Sequence, residues 1–280
     1  MSATDISILA GAGGGDPPGR PQWVYDLPSD PPPLSESAQQ AIVAQIWRRW
    51  MRGHKPARAG RQPVVTLFLG PPGSGKTELA RKWAARAGVP FLDADTITDL
   101  SPDYAALRDV RDVAGAPTGV LNARRERQVG LQLAEPIQAV FGRIWREKYD
   151  HAMQWTGVNM RSFGAFIADG FRLVVVWVAT PADISANRYW ARAQRTGRHY
   201  VSDRESLEDW AREEQDGLAA ASPLFARFAD EFYIASTSDR PENAVRVEPG
   251  ADTAGALANV RAARDRLAAQ APARAPPASV

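Results

Sequence analysis

The residues whose types and spacing could do chemistry are concentrated in "FLGPPGSGKTELARKWAARAGVPFLDADT", residues 68 to 96 of this 280-residue chain. Gly70, Gly73, Ser74, Gly75, Lys76 and Thr77 fit the pattern G-x-x-x-x-G-K-[ST]. Glycines at that spacing let the backbone curl so that successive N–H groups face phosphate oxygens, and a helix beginning near Gly75 adds the positive end of its dipole. Lys76 then reaches the β and γ phosphates, and the Thr77 hydroxyl is a ligand for Mg²⁺. The turn therefore asks for ATP and Mg²⁺.

A second group follows. Asp93 and Asp95 stand where the next strand should end, the edge at which open α/β sheets bind ligands. Asp95 is placed to take a proton from an acceptor hydroxyl, and Asp93 and Thr96 are candidate substrate contacts. The third group is "DISANRYWARAQRTGRHYVSD", where Arg188, Arg192 and Arg195 share one helical stripe and Arg198 lies just beyond. Arginines there close over a transferring phosphoryl group and neutralise its charge. Asp150 and His151 in "KYDHAMQW" are further substrate-side candidates, and Trp145, Tyr149 and Trp155 offer either base stacking or core packing, with core the blander account.

These groups need a scaffold, and the patterning supplies one. A helix capped by Ser35 is expected over 35–52 and strands at Val64–Leu69, Val89–Leu92, Phe171–Ala179 and Phe232–Ala235. Helices are expected from the glycine-rich turn to about Arg86 and over 104–114, 123–148, 158–169, 182–196, 204–220 and 253–269. Pro136 either kinks its helix or marks the true start. Strands alternating with helices predict an α/β fold, a P-loop NTPase/kinase-like three-layer sandwich with a mostly parallel central sheet. Residues 1–33 read as a mobile Gly/Pro-rich segment, with Trp23, Val24 and Tyr25 as a docking patch, 34–267 as the kinase domain, and 268–280 as a disordered Ala/Pro-rich tail.

Composition removes several classes. With 34 Lys plus Arg against 32 Asp plus Glu, a net charge of +2 gives no licence for a nucleic-acid partner. A polynucleotide kinase would need a basic groove. There is no cysteine, which rules out disulfides and thiol nucleophiles. No apolar run reaches membrane-spanning length and no signal segment is visible, so a cytoplasmic protein is expected, with specialised export leaving no readable trace. Motor ATPases need an apolar strand ending in an acid, whereas "FRLVVVWVATP" ends in Ala, Thr and Pro. Base-reading motifs of switch GTPases are absent too. A kinase is favoured, with a decayed kinase that binds ATP as a regulatory module as the competing class.

The order "PGSGKT", "FLDADT" with "SPDY" behind it, then "GFRLVVVWVATP" leading into an arginine-bearing helix and "GRHY", is similar to the zeta-toxin family of P-loop kinases over about residues 60 to 235. The resemblance implies that Lys76 binds ATP phosphates, that Asp95 is the general base, and that Arg192 and Arg198 contact phosphates. It implies a nucleotide-linked acceptor: family members phosphorylate the 3′-hydroxyl of UDP-N-acetylglucosamine sugars, and a divergent branch phosphorylates NAD on its adenosine ribose. Many are toxins held inactive by an antitoxin protein. The family carries a further strand ending in an acidic-Gly-Thr element. Here the corresponding stretch is "KYDHAMQ", with Asp150 at the acidic place, Ala152 where Thr would stand, and no strand-like run before it.

Overall fold

The computed structural model describes residues 34–101, 118–156, 160–196, 204–236, 244–248, 252, 254–258 and 262. The N-terminal segment with its aromatic patch, the helix expected over 104–114, Arg198, most of the closing helix and the C-terminal tail lie outside the described residues.

The described elements run in the order α1 (Glu36–Met51), β1 (Val64–Leu69), α2 (Lys76–Ala87), β2 (Phe91–Leu92), two 3-10 turns (Ala94–Thr96 and Thr98–Leu100), α3 (Thr118–Arg146), β3 (His151–Trp155), α4 (Met160–Ala168), β4 (Arg172–Val178), α5 (Ala182–Thr196), α6 (Arg204–Phe228), β5 (Glu231–Ala235) and β6 (Val245–Val247). The strands form one sheet in the order β2-β3-β1-β4-β5-β6. Every pairing is parallel except β5 with β6.

Both faces of the central strands are buried, and the period of two assigns each residue to a side. Val65, Leu67 and Leu69 of β1 with Leu173, Val175 and Trp177 of β4 join the larger core, which also holds Ile46, Ile144 and Phe225. Phe68, Val174, Val176 and Val178 face the other way and pack on Leu79, Ala80 and Ala84 of α2. The result is the three-layer α/β sandwich that the alternation of elements predicts.

Ser35 caps α1 as expected, accepting from the Ala38 N–H at 3.3 Å. Pro136 lies inside α3 and does not start it. The sequence reading misses two strands. β6 is a three-residue edge strand, and β3 is "HAMQW", a single β-branch-free stretch whose strand character comes from being sandwiched between β1 and β2. A strand does therefore precede the end of the "KYDHAMQW" region, and it begins immediately after Asp150.

Chain order and strand order together fix the site. The chain leaves β1 through α2 to β2 and β3 on one side, then crosses to β4 on the other. Such a reversal opens a crevice at the carboxyl ends of the strands. The glycine-rich turn after β1, the aspartates after β2, the end of β3 and the start of α5 all converge there.

Candidate functional site

The glycine-rich turn is shaped by close approach. Gly73 has φ +83°, and a Cβ there would sit 2.1 Å from the Ser185 carbonyl oxygen in α5. Backbone cannot yield by that much, so only glycine fits. Gly75, at φ 88°, turns the chain left-handed into the first turn of α2. The Thr180 hydroxyl, just past β4, donates to the Ser74 carbonyl at 3.0 Å. Gln215 of α6 in turn donates to the carbonyls of Val178 and Thr180 at 3.2 and 2.9 Å. The strand end that would carry an acid in a motor ATPase here secures the turn.

Lys76 is buried, and its ammonium donates to the Pro71 carbonyl at 3.1 Å. Burial lowers its pKa to about 8, an effect that the charges of Asp95, Glu214 and Asp93 only partly oppose and that of Arg192 reinforces. The charges of Asp95, Arg192 and Glu214 are thus all felt at this ammonium. Ser74 Oγ is buried with no hydrogen-bond partner among the described residues. A buried, water-stripped lysine, an unmatched hydroxyl and left-handed glycines at a helix start are the donor set that phosphates require. The residues present therefore fit a nucleotide triphosphate, with Thr77 available to a divalent cation.

Asp93 and Asp95 separate in environment. Asp93 is 1% exposed. Its Oδ1 accepts from the Asp95 N–H at 3.2 Å and from Gln154 Nε2 at 2.9 Å, and its Oδ2 accepts from Arg81 at 3.2 Å. Burial raises its pKa, and the Asp95 charge adds to that, against the Asp95 N–H and Arg81. Asp93 is thus a buried hub, not a surface that meets substrate. Asp95 is exposed on the 3-10 turn that follows.

Thr96, expected beside substrate, turns its hydroxyl inward. It donates to the Asp93 carbonyl at 2.6 Å and accepts from Trp50 Nε1 at 3.2 Å. Arg49 holds the same turn from α1, donating to the Thr96 carbonyl at 2.6 Å and, through both terminal nitrogens, to Asp99 at 2.6 and 2.9 Å. That hydroxyl serves to seat the turn carrying Asp95.

Asp150 requires a correction. It accepts from the Val64 N–H at 2.7 Å and pairs with Arg61. Val64 begins β1, and His151 lies opposite Val65, so Asp150 stands at the amino edge of the sheet. The glycine-rich turn is one strand length away, roughly 15 Å at the usual rise per residue. An acid at the start of β3 stabilises the strand entry and does not reach the crevice. The strand ends instead in Gln154 and Trp155, so the side chain that β3 brings to the crevice is an amide.

His151 is likewise core. It is 1% exposed, its Nδ1 lies 3.0 Å from the Tyr149 carbonyl, and burial pushes its pKa down to about 4. Trp145 and Trp155 pack on Phe166, and Tyr149 on Trp47, so the aromatics build the core and do not offer a base-stacking shelf. Arg192 is exposed on α5, with its guanidinium 5.2 Å from the Tyr189 ring centre. The Arg195 side chain lies outside the described residues, as does Arg198.

Three contributors escape sequence reasoning. Gln154 accepts from the Thr77 hydroxyl at 2.6 Å. Arg81 reaches Asp93 from α2. Glu214 lies on α6 beside the Gln215 clamp, and burial raises its pKa. Position in an alternating sheet was the one available signal for Gln154, and it depends on recognising β3 first.

Comparison with known proteins agrees with this geometry. The zeta toxin family model matches residues 48–220, more than half of the chain. A structure from the PezAT chromosomal toxin-antitoxin system of Streptococcus pneumoniae superposes with a TM-score of 0.57 at 14% identity, covering 84% of this chain and 93% of that one, a likeness of fold. The ATP-dependent protease ATPase subunit HslU of Hyphomonas neptunium is 32% identical over 104 residues, and that of a Methylobacterium species 33% over 98. The chain spans only 23% and 22% of those two relatives, covering 35% and 33% of itself. The crevice geometry and the extent of the family match lead to one conclusion: this chain belongs to the zeta toxin family of P-loop kinases.

Proposed function

We propose that the protein is an ATP- and Mg²⁺-dependent kinase that transfers the γ-phosphate to a hydroxyl of a nucleotide-linked metabolite. The observation that carries this reading is the glycine-rich turn, which close approach of the Ser185 carbonyl restricts to glycine at Gly73, ending in the buried ammonium of Lys76, with the exposed Asp95 carboxylate on the turn after the neighbouring β2. A phosphoryl transfer needs a cation on the transferring group and a carboxylate on the attacking hydroxyl.

Asp95, exposed at the crevice, takes the acceptor proton as the acceptor oxygen bonds to the γ-phosphorus and the bond from that phosphorus to the β–γ bridging oxygen breaks, so that Asp95 ends as the neutral acid and ADP is the leaving group. Lys76, Arg192 and, from the resemblance, Arg198 hold the phosphate oxygens while negative charge shifts toward the leaving oxygen. Backbone N–H groups of residues 73–77 orient the chain of phosphates. Bound Mg²⁺, held by Thr77, would supply charge neutralisation on the β and γ oxygens.

The family resemblance favours UDP-N-acetylglucosamine or the adenosine ribose of NAD as acceptor, a toxic outcome in the cytoplasm, and an antitoxin as partner. A toxin-antitoxin system is also the source of the superposed structure. Among the described residues no helix is long and apolar enough to cross a membrane. The test is incubation with ATP, Mg²⁺ and each acceptor separately, followed by mass spectrometry. A phosphate increment on a nucleotide-linked acceptor supports the proposal. ATP binding with no product across a broad metabolite extract would replace it with a decayed kinase.

A further inference from the structure

We propose that Gln154 is a positioning residue for the Thr77 hydroxyl, a polar bridge that fixes the direction of the Thr77 proton and ties the cation site to buried Asp93. The inference rests on the kinase reading above, since it concerns how that reading's metal ligand is oriented.

The bridge is a directed chain. Arg81 donates to Asp93 Oδ2 at 3.2 Å, Gln154 Nε2 donates to Asp93 Oδ1 at 2.9 Å, and Thr77 Oγ donates to Gln154 Oε1 at 2.6 Å. Each polarity follows from the one before. Arg81 and the Asp95 N–H, at 3.2 Å, are donors that favour the ionised Asp93 carboxylate, which only accepts. The amide must then present its nitrogen to Asp93, because its oxygen would set lone pair against lone pair. The amide oxygen is left facing Thr77, which can satisfy it only by donating. With its proton committed to Gln154, the Thr77 oxygen keeps its lone pairs for a cation.

A carboxamide both donates to one neighbour and accepts from the other without a charge. A carboxylate at this position would accept from Thr77 but would meet Asp93 with like charge, in a place where Asp93 is almost wholly buried. The bridge is also rigidly mounted. Gln154 lies between Met153, 2% exposed in the core, and Trp155, whose ring stacks on Phe163 at 5.9 Å. A side chain held this way keeps a cation ligand oriented before the cation arrives.

The experiment is calorimetric binding of a non-hydrolysable ATP analogue to the full chain, with and without Mn²⁺, alongside a melting curve for each variant. In the wild type Mn²⁺ is expected to tighten binding. Gln154→Leu should lose about 10- to 100-fold of that metal-dependent gain while metal-free affinity stays as it was. A purely packing role would lower melting temperature and shift both affinities together, and that result overturns the proposal. A full metal-dependent gain in folded Gln154→Leu also overturns it and leaves the kinase reading standing. A wild-type protein whose nucleotide binding ignores Mn²⁺ overturns the kinase reading, and the bridge with it.

Discussion

Two halves of one crevice are built by different means. The half after β1 is built from backbone: left-handed Gly73 and Gly75, a helix start, and the contact of Gly73 with the Ser185 carbonyl. The half after β2 and β3 is built from side chains: Asp93, Asp95, Gln154 and Arg81. Backbone recognition of phosphate is unforgiving, because one added Cβ at Gly73 collides with main chain. Side-chain recognition is exchangeable one residue at a time.

The comparison breaks most sharply at Lys76, which belongs to the first half but feels the charges of the second. Lys76→Met should reduce phosphoryl transfer about 10³-fold, the cost of losing one preorganised charge donor. Turnover measured with the acceptor that gains phosphate in the mass-spectrometric panel checks this. A residual rate near wild type would mean that the backbone cradle alone carries the phosphate chemistry.

Asp95→Asn probes the other half in isolation. Turnover should fall by about 10²-fold or more, while ATP affinity is retained, since the amide fills the same space but takes no proton. Equal losses in kcat and in ATP binding would show that the two halves do not separate. An unchanged rate would remove Asp95 as the base.

The same division explains what the chain made legible. The first half was readable because glycine, lysine and threonine are each required by local geometry at fixed spacing, so the residues from Gly70 to Thr77 announce both turn and ligand. The long apolar run of β4 was readable for the same local reason. β3 was not, since "HAMQW" has no β-branched residue and no period-two alternation, and becomes a strand only through its neighbours. Without β3 nothing tells that Asp150 enters a strand and so stands at the amino edge of the sheet. Nothing local to "DADT" reveals that Gln154 and Arg81 close on Asp93, or that Trp50 and Arg49 hold Thr96.

A smaller effect follows from the burial of Lys76, whose pKa lies at about 8, below its ordinary 10.5. Its lowered folded value means that the unfolded chain binds the proton more tightly between these limits. The contribution of this group to folding stability therefore rises as pH climbs through about 8. ATP binding runs the opposite way, because phosphates favour the charged ammonium. Affinity should decline above about pH 8, approaching about tenfold per unit, and binding there should draw in a proton. Calorimetry in two buffers of different ionisation heat, at neutral and at alkaline pH, reads that uptake directly. Uptake that stays at zero on the alkaline side would show that Lys76 keeps its proton without nucleotide.

The gentlest test is Asp150→Ala, which touches neither half. Asp150 holds the Val64 N–H at 2.7 Å and pairs with Arg61 at the amino edge. The ion pair contributes little, since Arg61 is 47% exposed and such surface pairs are worth about 0–1 kcal/mol. The half-buried N–H matters more, and leaving it unmatched costs about 1–3 kcal/mol. Melting temperature should fall by several degrees, at about 2–4 °C per kcal/mol for a domain of this size. Turnover and ATP affinity below the melt should stay at wild-type values. A loss of turnover without a loss of stability would return Asp150 to the acceptor site, and would require the crevice to reach across the full length of β3.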